Sequence, residues 1–164
     1  MADPNENTPL EPRLPTKDDL LHLCRRLNEE GARYLVIGGW AMIQLGLGRT
    51  TNDIDLLVES SAENIRKVKA ALASLPDNAA REVAEDDLEK FVVVRVNDEF
   101  TVDLMKAACG VEFAEARAEI QWHELEGVRI PFAGPRLMLR LKQTYREKDA
   151  FDRLFLMGLL NPPK

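Results

Sequence analysis

Residues 53–58 read Asp-Ile-Asp-Leu-Leu-Val, and no other stretch limits the possible folds of this chain as tightly. The run is short and ends on apolar residues, which makes it a strand, yet it opens on two acids that a buried strand does not tolerate unaided. Residues two apart on a strand point to the same face, so Asp53 and Asp55 project into one small volume with about 6.6 Å between their Cα atoms. A third acid, Asp103, stands between Val102 and Leu104 in the run Phe-Thr-Val-Asp-Leu-Met at 100–105. Alternation exposes it on the face opposite those neighbours. With the two strands side by side, three carboxylates converge. Unit like charges ~4 Å apart repel by about 4 kcal/mol at an effective dielectric near 20, and a marginally stable domain does not carry that without a counter-charge. A divalent cation is the simplest one. Hard carboxylate oxygens suit Mg²⁺, or Mn²⁺ in its place, and Mg²⁺ sites of this kind are completed by substrate phosphates.

The residues around this strand predict an alternation of strands and helices. Arg33–Ile37 is a short apolar run that ends at Gly38-Gly39 and gives way to a short helix over Trp40–Leu45. A turn without side chains lets backbone N–H groups reach a phosphate, so Gly38 and Gly39 are candidate nucleotide-binding residues. Upstream, Thr16 and Asp19 form a capping box for a helix that Gly31 stops. Downstream, Ser60 and Glu63 cap a helix that carries Ile65, Val68, Ala71, Leu72 and Leu75 and ends at Pro76. Phe91–Val96 and Phe100–Met105 form a hairpin about a turn at Asn97-Asp98, and a short helix covers Val111–Ala118. Ile120–Leu125 and Val128–Pro131 flank Glu126-Gly127 as a second hairpin, and Pro135 opens a long helical stretch to about Leu160. The fold class is therefore α/β (α+β): a small mixed sheet flanked by helices, with a C-terminal helical stretch.

At 164 residues and 45% hydrophobic content the chain suits one core, expected over 16–164. Residues 1–15, with Pro4, Pro9, Pro12 and Pro15 among Asn, Asp and Glu, read as a flexible tail. A net charge of −6 opposes wholesale binding to nucleic acid. One basic segment interrupts the acidic balance: Arg129–Lys148 holds six basic residues against Glu147 alone. Lys142 and Lys148 in this segment, with Arg49 just before the acid pair, are candidate contacts to substrate phosphates, and the patch also suits an RNA end. Cys24 and Cys109 lack metal-ligand spacing, fit a reducing compartment and are expected to pack in the core. No apolar run reaches the ~18 residues of a membrane span and the N-terminal residues lack a secretory pattern, so a cytoplasmic protein without a membrane partner is expected.

The glycine pair after a strand, thirteen residues from Trp40 to Asn52, then Asp53-Ile54-Asp55-Leu56 and a later acid at Asp103, together resemble the nucleotidyltransferase superfamily that includes DNA polymerase beta. Gly38–Glu59 is similar to the small bacterial members: minimal nucleotidyltransferases, toxins of the AbiEii kind and lincosamide-modifying enzymes. The likeness extends from about Ala32 to Leu160, taking in the closing segment Leu141–Leu156. What it implies is in-line displacement at the α-phosphate of a nucleoside triphosphate. Asp53 and Asp55 would hold the metal that bridges the triphosphate, and Asp103 would complete a second metal site or deprotonate the acceptor hydroxyl. Gly39 stands where many members carry serine, so that hydroxyl is absent at this position while the backbone donors remain. The acceptor is left open between a protein hydroxyl, the 3′ end of a tRNA and a small molecule such as an antibiotic. The alternative is a nucleotidyltransferase-like binding module, for instance one half of a toxin–antitoxin pair, that holds a protein partner with little or no catalysis.

Overall fold

The computed structural model describes residues 11–163. Helix α1 (Lys17–Glu29) opens with the expected box: the Asp19 N–H donates to Thr16 Oγ1 at 3.3 Å and the Thr16 N–H donates to the Asp19 carboxylate at 2.7 Å. Strand β1 (Tyr34–Ile37) is buried along its whole length and runs straight into α2 (Gly38–Gln44). Strand β2 (Asp53–Val58) leads to α3 (Ala62–Leu72). The cap of α3 is Ser61, one residue beyond the expected Ser60. The frame is set by Asn64, whose fully buried amide donates to the Arg33 and Glu59 carbonyls at 2.9 and 2.7 Å, and whose backbone N–H donates to Ser61 Oγ at 3.2 Å.

A short α4 (Asp87–Lys90) precedes the hairpin of β3 (Val94–Asn97) and β4 (Thr101–Met105). Strand β3 begins at Val94 and not at Phe91, because it sits at the sheet edge and only 94–97 find partners on β4. Phe91, Val92 and Val93 are left exposed. The two-residue ladder of β5 (Ala107–Ala108) with β6 (Val111–Glu112) and a single turn of helix, α5 (Phe113–Ala116), replace the helix expected over Val111–Ala118. The β5–β6 turn also corrects the reading of the cysteines. Cys24 is buried in the core, but Cys109 lies exposed in this turn at φ 47°, its thiol donating to the Leu141 carbonyl at 3.2 Å. Strands β7 (Ile120–Leu125) and β8 (Val128–Ala133) form the second hairpin about Glu126-Gly127, as expected.

The C-terminal stretch is not one helix. It divides into α6 (Pro135–Leu141) and α7 (Glu147–Leu160). Carbonyls that a continuous helix would use are taken by a side chain instead: the Arg153 guanidinium donates to Lys142 O at 2.5 Å and Thr144 O at 3.0 Å. The Thr144 hydroxyl in turn donates to Asp149 at 2.5 Å, which fixes the first turn of α7.

The main sheet has six strands in the order β3-β4-β2-β1-β8-β7. β2 runs parallel to β4 and β1 runs parallel to β8; the other neighbours are antiparallel. The fold is thus a mixed sheet flanked by helices, with α1 packed on α3 and β8, and α2 on β1, β2 and α6. Of the expected tail, 1–10 lies outside the described residues. From Arg13 onward the chain is held: its N–H donates to Glu99 O at 3.0 Å, and its guanidinium pairs with Asp19 and lies 5.6 Å from the Phe100 ring centre. No described helix is long and apolar enough to cross a membrane.

Candidate active site

Sheet register brings the acids together. Asp55 on β2 lies directly opposite Asp103 on the parallel strand β4, and Asp53, two residues earlier, shares the face of Asp55. One oxygen of each carboxylate lies within 4.8 Å of the others. The other side of β2 pairs Asp55 with Ile37, so the glycine turn that ends β1 arrives at the same point. Gly38 has φ +69°, and a Cβ placed on it would stand 2.0 Å from Asp55 Oδ2. A side chain at 38 and the observed carboxylate cannot coexist.

Asp103 departs from expectation in one respect: it is buried rather than exposed. Its cover is Arg95, directly across the β3–β4 ladder, whose Nε and Nη2 each donate to one Asp103 oxygen at 2.9 Å. The same guanidinium reaches Asp53 at 3.6 Å. Among the described residues Asp55 has no such partner. Burial, then the charges of Asp53 and Asp103, push its carboxyl up to about 8, against a smaller opposing pull from Lys142. Burial and the Asp103 charge also raise Asp53, with Arg95 acting the other way. Carboxyls raised by burial and by one another in this way mark a site suited to positive charge.

The residues present fit a divalent ion. Three hard oxygen donors, one from each carboxylate and within 4.8 Å of one another, are the kind of donor set that Mg²⁺ takes. Around them is a cleft of about 490 Å³, large enough for the triphosphate of a nucleotide, in which Gly39, Thr51 and Arg95 adjoin the acids and Lys142, Arg146 and Lys148 supply positive charge. Thr51 explains Gly39: a Cβ on residue 39 would meet Thr51 Oγ1 at 2.5 Å. The volume a serine would need is already filled by another hydroxyl, which donates to Asp53 O at 3.1 Å.

Not every sequence candidate enters the cleft. Arg49 does not line it; its guanidinium is held by Asp152 at 2.9 Å from both carboxylate oxygens. Lys142 does line it, and is fixed from behind by Asp152 at 3.1 Å and Asp149 at 3.3 Å. Although burial works to raise Asp149, the Thr144 hydroxyl and the Lys142 charge bring its carboxyl below the usual range. Lys148 lines the cleft as an exposed side chain. Sequence reasoning passed over Arg95, Thr51, Asp149 and Asp152. Only Arg95 left a signal, a lone charge inside the apolar run Phe-Val-Val-Val-Arg-Val.

Gly38→Ala tests the close approach. The left-handed backbone costs a non-glycine residue about 1 kcal/mol, and the new methyl must displace Asp55. The melting temperature is expected to fall by about 5 °C, and Mn²⁺ affinity, read by electron paramagnetic resonance, by at least roughly tenfold, one lost ligand. Unchanged Mn²⁺ affinity would show that Asp55 need not stand where it does.

No family model matches the sequence, and no curated protein matches it. Solved structures do match in fold. The lincosamide antibiotic adenylyltransferase LnuA, in its lincomycin-bound form, superposes with a TM-score of 0.55 at 15% identity over 90% of this chain and 99% of the other. A candidate nucleotidyltransferase from Thermotoga maritima gives 0.52 at 15% identity, covering 88% and 91%. An antigenic nucleotidyltransferase-like protein from Paracoccidioides brasiliensis gives 0.53 at 17% identity, covering 90% and 78%. The mixed sheet, its glycine turn and the helices that flank them thus make up the nucleotidyltransferase fold.

Proposed function

We propose that the chain is a metal-dependent nucleotidyltransferase that moves a nucleoside monophosphate from a nucleoside triphosphate to an acceptor hydroxyl. The observation that carries this reading is the meeting of Asp53, Asp55 and Asp103 beside a glycine turn, in a cleft that also holds Lys142, Arg146 and Lys148. Asp53 and Asp55 would hold Mg²⁺ (or Mn²⁺), with Asp103 as the third ligand. When bound, the ion supplies charge neutralisation at the reacting phosphate and the departing pyrophosphate. The chain's own groups do the rest. Backbone N–H groups at Gly38 and Gly39 and the Lys142 and Lys148 ammonium groups bind and orient the triphosphate. The acceptor oxygen forms its bond to the α-phosphorus as the bond to the bridging oxygen breaks, pyrophosphate leaves, and the hydroxyl proton passes to a carboxylate of the cluster.

The test is transfer of label from each of the four α-³²P nucleoside triphosphates with Mg²⁺ in cell lysate, read in protein, RNA and small-molecule fractions. Metal-dependent label in one fraction is expected and names the acceptor class. Absence of label from all three would overturn the reading. A second reading, a module that holds a protein partner, is favoured by one observation: α7 turns Asp149 and Asp152 inward and leaves Phe151, Leu154, Met157 and Leu159 exposed. Co-purification of a stoichiometric partner without transfer would support it.

A further inference from the structure

Arg95 is placed to do more than pair with an acid. It rises from the edge strand β3, and its fork closes on both oxygens of Asp103 at 2.9 Å while Nη2 also reaches Asp53 at 3.6 Å. The guanidinium therefore spans two of the three groups that would ligate the metal. The two sides of this pair differ in freedom: the Asp103 side chain is 7% exposed, the Arg95 side chain 58%. The acid is fixed by the sheet, while the arginine lines the cleft as an exposed side chain. A divalent ion that takes its oxygens from Asp53 and Asp103 comes up against this cation, and like charge drives the exposed partner outward. Carboxylate and phosphate each present two acceptor oxygens to an arginine fork. A triphosphate entering the cleft that Arg95 lines offers the displaced guanidinium an equivalent partner.

We infer that Arg95 is an exchangeable counter-ion: it occupies the seat between Asp103 and Asp53 when no metal is bound, and turns to the phosphates of the incoming nucleotide when one is. Metal and nucleotide then bind as a pair. The ion alone must displace Arg95 without compensation, and the metal–triphosphate complex brings the compensation with it. This inference rests on the reading of the site as one for nucleotidyl transfer, and it makes a prediction that a merely structural arginine does not.

The experiment titrates the full chain by calorimetry with Mn²⁺ alone and with the Mn²⁺ complex of inorganic tripolyphosphate, a probe independent of the base. For Arg95→Gln, affinity for Mn²⁺ alone is expected to rise about tenfold and affinity for Mn²⁺–tripolyphosphate to fall about tenfold, a coupling of ordinary size between two ligands. Arg95→Lys, a point charge without the fork, is expected to tighten Mn²⁺ alone as well and to keep most of the tripolyphosphate affinity. Circular dichroism melts confirm that both variants fold. If Arg95→Gln weakens Mn²⁺ alone or leaves it unchanged, the arginine does not hold the metal's seat and the inference fails. If it tightens Mn²⁺ alone but leaves the tripolyphosphate complex unaffected, the turn to phosphate fails. Failure of the wild type to bind the tripolyphosphate complex at all would instead overturn the nucleotidyltransferase reading, and the inference with it.

Discussion

Substituting Asp55 by asparagine is expected to abolish divalent-metal binding and, at the same time, to raise the stability of the metal-free protein. The first effect follows from position: Asp55 is the central acid, opposite Asp103 and two residues from Asp53. Loss of the metal's several kcal/mol of transition-state stabilisation predicts a fall in transfer of about 10³-fold or more. The second effect follows from linkage. The carboxyl of Asp55 is pushed up to about 8 from an ordinary 3.8 by burial and by its two acidic neighbours. Between those values the folded chain binds a proton that the unfolded chain does not, so stability falls as pH rises through this window and levels off above it. A full proton is worth about 1.4 kcal/mol per pH unit, and sharing between coupled carboxylates leaves a few kcal/mol in total. Asparagine binds no such proton. In melts with EDTA at pH 5, 6.5 and 8, the variant should therefore pull ahead of the wild type by a margin that widens with pH. Parallel curves, or a variant less stable at every pH, would mean that the acids do not press on one another as their geometry indicates.

The acid triad was half legible. Period-two spacing on a recognisable strand gave the shared face of Asp53 and Asp55 without any knowledge of the fold. That Asp103 joins them depends on a parallel pairing of β2 with β4, which no local pattern encodes. Arg95 was missed because of a register. A two-residue turn at Asn97-Asp98 would set Arg95 opposite Phe100; the real loop takes in 98–100 and sets it opposite Asp103. The cause is Asp98, buried because its carboxylate accepts from the Asp77, Ala79 and Glu99 backbone N–H groups at 3.0, 2.9 and 2.8 Å. A residue that reads as a solvated turn is in fact an anchor for a distant loop. The C-terminal segment failed for a related reason. Its composition is helical throughout, and only the tertiary bonds of Arg153 and Thr144 reveal why it breaks at Lys142.

That break lets α7 fold its acids back onto the site, and removing one of them is expected to give the largest stability loss in the molecule. Asp152 is fully buried and accepts from Arg49 at 2.9 Å, twice, and from Lys142 at 3.1 Å. Its two cationic partners are themselves nearly buried, with side chains 14% and 12% exposed. Asp152→Ala leaves Lys142 with Asp149 and takes away the carboxylate that holds Arg49, and an uncompensated buried charge typically costs about 3–5 kcal/mol. For a chain of this length that is a fall of about 10 °C in melting temperature. The contact is also the tie between α7 and the loop that leads into Asp53, so the variant should weaken tripolyphosphate binding through Lys142 even at temperatures where it stays folded. Arg49→Met with Asp152→Leu separates the two consequences. An apolar pair of similar volume removes the charge imbalance and is expected to recover most of the lost stability, because matched buried ions gain little over good packing. It does not restore the carboxylate behind Lys142, so the binding defect should persist. If the double variant is as unstable as Asp152→Ala, the contact is one of shape; if it also binds tripolyphosphate normally, Lys142 needs no support from α7.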